Sequence, residues 1–72
     1  MDKRIEDAIE CNTRRIYGDK RNRNGYYSEA DVREGLRLIA QDTLNHDGTV
    51  DDAVGNVEEA TFIDPGDALM YF

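Results

Sequence analysis

Residues Ser28–Leu44, SEADVREGLRLIAQDTL, decide the fold of this chain. Val32, Leu36, Ile39, Ala40 and Thr43 recur at steps of three and four, the period of an α-helix, and so share one face. Ser28 opens the run with Asp31 three residues on, the reciprocal pair of a capping box. Glu29–Arg33 and Glu34–Arg37 add side-chain pairs one turn apart. Gly35 costs about 1 kcal/mol relative to alanine in a helix interior and marks the close approach of another element. Leu38 breaks the pattern. At ~100° per residue it points away from the core face, between Asp31 and Asp42. A lone exposed Leu is ordinary, and a Leu ringed by acids is also what an interface anchor looks like.

An amphipathic helix needs partners, and both flanks offer one. From Asp2 to Tyr17, Ile5, Ala8, Ile9 and Ile16 fall on one face, with Asn12 in its middle. Acids stand near the start of this segment, Arg14 and Arg15 near its end, and Gly18 follows, an order that suits the helix dipole and a glycine cap. Glu10 and Arg14 are spaced as an i,i+4 pair. On the other side, Asn45-His46-Asp47-Gly48 reads as a turn. Thr49 then caps a third helix, with Asp52 as its box partner and Val50, Ala53, Val54, Val57 and Thr61 as its apolar stripe. Asp64-Pro65-Gly66-Asp67 ends it. Beyond lies either a short helix opened by Asp64 and Pro65, or a turn between extended pieces. The expectation is an all-α fold, a small three-helix domain with a short C-terminal helix or extended tail, in one domain over residues 1–72. The apolar tail Leu69-Met70-Tyr71-Phe72 either closes the core or makes a homodimer contact.

The charge is distributed unevenly along the chain. Residues 1–37 hold nine cations and eight acids, a net of +1, whereas residues 38–72 hold no cation and eight acids, a net of −8. The whole chain carries −7, which disfavours direct binding to nucleic-acid phosphate and favours basic partners. The acids of the second half are Asp42, Asp47, Asp51, Asp52, Glu58, Glu59, Asp64 and Asp67. Asp51 and Asp52 suit a helix start, and Asp64 and Asp67 suit a turn or cap. Glu58 and Glu59 stand near a helix end, where acids oppose the dipole by about 0.3–1 kcal/mol each. No Lys or Arg follows them in sequence.

The remaining signals each have an ordinary structural role beside the functional one. Lys20, Arg21 and Arg23 lie beside Tyr26 and Tyr27 in the loop 18–27, an interleaving that suits single-stranded nucleic acid. Tyr27 also stands five residues before Val32, the spacing of a hydrophobic staple, and that reading is preferred. Thr43–Val54 resembles a calcium-binding EF-hand loop at Asn45, Asp47, Gly48, Val50 and Asp51. The first and last ligand positions hold Thr43 and Val54 instead of carboxylates, so an Asx-rich turn before a capped helix is the better account. The helix–turn–helix order resembles the DNA-binding motif of that name, but Asp51, Asp52, Glu58 and Glu59 on the second helix would repel phosphate. Cys11 and His46 are single residues without a supporting motif. No enzyme activity, cofactor or metal is expected. One cysteine precludes an internal disulfide and fits a reducing cytoplasmic setting. No apolar run approaches the ~20 residues of a membrane span.

These observations together favour a small acidic inhibitor that engages a basic, nucleic-acid-binding surface of a partner protein or nucleoprotein complex, as a nucleic-acid mimic. Spacing of seven residues separates successive acids by about 10 Å along a helix axis, a line of negative charge able to meet Lys and Arg. The expected partner-binding residues are Asp42, Asp47, Asp51, Asp52, Glu58, Glu59, Asp64 and Asp67, with Leu38 as apolar anchor. In general character the chain resembles small phage- or mobile-element-encoded anti-defence proteins, such as anti-CRISPR or anti-restriction inhibitors. The alternative is a structural or regulatory accessory module that homodimerises or joins a larger assembly.

Overall fold

The computed structural model describes residues 2–19 and 27–61. Within these residues the chain is three α-helices: α1 (Lys3–Tyr17), α2 (Glu29–Asn45) and α3 (Val50–Glu59). The all-α three-helix expectation holds. The basic stretch with Lys20, Arg21, Arg23 and Tyr26, the acids Asp64 and Asp67, and the C-terminal segment lie outside the described residues.

Each helix starts where its sequence says it should. Ser28 Oγ accepts from the Asp31 N–H at 3.1 Å, and Asp31 Oδ2 accepts from the Ser28 N–H at 3.2 Å. Thr49 and Asp52 repeat the box at α3, at 3.1 and 3.0 Å. Asp2 caps α1 by accepting from the Arg4 N–H at 2.8 Å. These bonds, reciprocal at α2 and α3, satisfy amide donors that the first helical turn leaves without a partner.

The expected core faces are buried together. Ile5, Ile9 and Ile16 of α1 meet Val32, Leu36, Ile39 and Ala40 of α2 and Ala53 and Val57 of α3, and Ala60 joins them just past α3. Tyr27 packs against this cluster from outside, consistent with a staple. Gly35 is buried, as a site of close approach should be. Thr13, a polar residue the hydrophobic pattern passes over, is fully buried. Its hydroxyl donates to Ile9 O at 2.6 Å, which satisfies it within its own helix. Asn12 is also buried, with Nδ2 donating to Ala8 O at 2.8 Å.

The turn between α2 and α3 departs from an ordinary helix end in an informative way. Asp47 has φ 65°, a left-handed conformation uncommon for a residue with a side chain. The Gly48 N–H reaches back to Thr43 O at 2.8 Å. This is the Schellman closure of α2, with an aspartate in the left-handed place usually given to glycine. Gly48 meets a different demand. A Cβ there would lie 2.5 Å from Thr43 Cγ2 and 2.6 Å from Thr43 O. Gly48→Ala is therefore expected to lower stability by about 1–3 kcal/mol, because a backbone oxygen cannot yield as a flexible side chain can. A denaturant midpoint equal to that of the unmodified protein would contradict this closure.

Two local expectations gain detail and one needs correction. Glu10 forms its ion pair with Arg33 of α2, while the charge of Arg14 one turn on also favours the Glu10 carboxylate. The tertiary contact offers a fork, with Arg33 Nε and Nη2 donating to the two Glu10 oxygens at 2.7 and 3.3 Å, and this geometry favours it over the one-turn neighbour. The glycine after α1, Gly18, is the expected cap: at φ −81° its N–H donates to Arg14 O at 2.9 Å. Finally, α3 stops at Glu59. Ala60 turns extended at ψ 148°, so Thr61 leaves the apolar stripe and is exposed.

Candidate functional site

The cross-helix bonds orient the acidic helix. Arg4, near the start of α1, bonds Asp51 at the start of α3. Arg15, near the end of α1, donates through Nη2 to Glu58 O at 3.1 Å and Ala60 O at 2.8 Å at the end of α3. Start meets start and end meets end, so α1 and α3 run parallel. The short turn 46–49 joins α2 to α3, and Asn56 Nδ2 ties the two by donating to Thr43 Oγ1 at 2.9 Å.

This arrangement buries one arc of α3 and presents the other. Ala53 and Val57 face the core with no exposed surface. Asp51, Asp52, Glu58 and Glu59 are all exposed, within an arc of roughly 120° centred opposite that core pair, with Gly55 between them. Asp42 and Asp47 are exposed too, at the end of the bundle where α2 passes into α3. Six of the eight acids expected to form the surface are thus described and exposed. Asp64 and Asp67 lie outside the described residues.

The individual acids are not equivalent. Asp51 is neutralised by Arg4, whose guanidinium is held above its usual pKa chiefly by the hydrogen bond to that carboxylate. Asp52 spends one oxygen on the Thr49 amide. Asp42 receives His46, whose Nδ1 lies 2.8 Å from Asp42 O and 3.3 Å from Oδ1. Among the described residues, Asp47, Glu58 and Glu59 form no ion pair, which leaves their carboxylates the freest of the set. Leu38 is 38% exposed, on the side of α2 away from the core as its phase requires.

Arg15 changes the account of Glu58 and Glu59. No cation follows them in sequence, yet α1 brings a guanidinium to the carbonyls of the same turn. The helix end is compensated through space, and the dipole penalty expected from sequence is correspondingly reduced. Neither Arg4 nor Arg15 carries a sequence signal for this role, because the contacts span 47 and 43–45 residues.

The other side of the bundle has a different character. A groove between α1 and α2 is lined by Glu6, Asp7, Ile9, Glu10, Arg33, Glu34 and their neighbours. Its charges are largely spent on each other: Arg33 bridges Glu10 and Glu29, and Arg37 meets Glu34. The Arg33 hydrogen bond holds the Glu10 carboxyl below its usual pKa, and Glu10 in turn raises that of Arg33.

The segment resembling an EF-hand loop is occupied otherwise. Only residues 46–49 separate α2 from α3; Thr43 O closes the Schellman bond, and Asp52 closes the capping box. Among the described residues no three His, Cys, Asp or Glu side chains come together as a metal site. Cys11 is exposed. No described helix is long and apolar enough to cross a membrane. No protein family, curated protein or solved structure matches the chain.

Proposed function

We propose that the outward face of α3, extended by Asp42 and Asp47, binds a cationic surface on a partner protein, and that the chain acts as an inhibitor of a nucleic-acid-binding protein by occupying the place of phosphates. The observation that carries this reading is the exposed row Asp51, Asp52, Glu58 and Glu59 opposite Ala53 and Val57. Three of its members, Asp52, Glu58 and Glu59, have no ion-pair partner among the described residues, and of these Asp52 accepts from the Thr49 amide. Carboxylates on a rigid helix keep a fixed spacing, and fixed spacing is what a groove built for a phosphate backbone reads. Charge supplies encounter rate and selectivity more than affinity, so an apolar anchor is needed as well. Leu38 fills that role in this reading. Inhibition by mimicry is also the activity expected of an anti-defence protein of this general character.

The reading makes a quantitative demand on salt. In a titration of the full chain with a fluorescent octa-arginine peptide, binding is expected at low ionic strength, to weaken steeply between about 50 and 200 mM salt, and to be displaced by double-stranded DNA competing for the peptide. Absence of binding at low salt would remove the proposal. Binding indifferent to salt would also remove it, since that would place the contact on apolar surface.

A further inference from the structure

The acidic helix does not define its own end. α3 has ten residues, fewer than the about 12–15 at which isolated helices become even marginal in water. Its last turn contains no basic residue, while Glu58 and Glu59 stand beside carbonyls that lack intrahelical partners. The missing donor comes from α1. Arg15 Nη2 reaches both Glu58 O and Ala60 O, at 3.1 and 2.8 Å. The other side of the same guanidinium is fixed as well, because Nε donates to Asn12 Oδ1 at 2.7 Å. Asn12 is itself buried and anchored on Ala8 O. A guanidinium held at two edges is a rigid fork.

We infer that Arg15, braced by Asn12, is the positioning residue of the acidic face: it clamps the end of α3 and so sets where Glu58 and Glu59 stand for a basic partner. The inference rests on the reading of that face as the partner surface. Arg15 acts here through the α3 backbone, because its own positive charge would repel a cationic partner.

That opposition of sign supplies the test. Arg15→Gln makes the chain one unit more acidic, so charge alone predicts tighter binding of octa-arginine, whereas loss of positioning predicts weaker binding. The full chain, Arg15→Gln, Arg15→Lys and the double variant Arg15→Gln/Gly55→Ala are compared by amide hydrogen exchange and by low-salt peptide titration. Gly55 is chosen because a Cβ there meets nothing within 4 Å, and alanine strengthens the helix without the clamp. In Arg15→Gln the amides of residues 57–60 are expected to exchange about fivefold faster and the peptide to bind about fivefold more weakly, the scale of a lost helix cap. The Gly55→Ala change should return both toward the values of the unmodified chain.

Binding by Arg15→Gln that equals or exceeds that of the unmodified chain overturns the inference. So does a double variant that regains amide protection but not binding. If Arg15→Gln loses protection throughout α1 and α2, Arg15→Lys decides. It keeps the charge but cannot fork, so unchanged binding with an unprotected α3 end is contrary. Failure of the unmodified chain to bind at low salt is a distinct result, which removes the surface reading on which the inference rests.

Discussion

Leu36→Ala is expected to destabilise the bundle by about 2–5 kcal/mol. Leu36 is fully buried on the α2 face that receives both other helices, so the vacated volume has walls on several sides and cannot collapse cheaply. The loss is large against the whole. A chain of this length has a stability of roughly 4–11 kcal/mol at ordinary values per residue, and the melting temperature should fall by about 4–8 °C for each kcal/mol lost. Leu36→Met, which nearly conserves volume, should cost under about 1.5 kcal/mol. Thermal unfolding followed by circular dichroism separates the two. A melting point for Leu36→Ala within a few degrees of the unmodified chain would mean that α2 is not the spine of the core.

The second large effect is on binding. Glu58→Lys/Glu59→Lys is expected to weaken octa-arginine binding at least about a hundredfold, because like charges brought together at an interface cost several kcal/mol. Stability should change by less than about 1 kcal/mol. Lysine near a helix C-terminus is favoured by the dipole and disfavoured here by Arg15, and these terms are of similar size and opposite sign. The control is Asp7→Lys/Glu34→Lys, with the same change in net charge on the α1–α2 groove. If net charge alone governs binding, the two double variants weaken it equally. If the α3 face is the surface, the groove variant keeps most of the affinity. Equal losses would reject the α3 face as a specific site.

The proposed surface was only partly legible in the chain. The phase of Asp51, Asp52, Glu58 and Glu59 opposite Ala53 and Val57 follows from helical periodicity, and their exposure agrees with it. Their inequality does not follow. Asp51 is spent on Arg4, and the end of α3 is served by Arg15. Both partners come from a helix more than forty residues earlier. Glu10 shows the same limit on a smaller scale, since one-turn spacing finds the favourable charge of Arg14 but not Arg33, which offers two donors to its carboxylate.

What the sequence determined by itself is local: three amphipathic segments, two capping boxes, the starts of α2 and α3, and most of the core, with Thr13 and Ala60 passed over and Thr61 wrongly included. Each depends on neighbours within about one helical turn, where periodicity and side-chain-to-backbone bonds are set by spacing alone. What only the tertiary structure decided is where α3 ends, how Glu10 is paired, which acids remain free, and that α1 runs parallel to α3. Those outcomes depend on guanidinium groups carried across the bundle by packing, and a long flexible arginine acquires its partner only after the helices have met.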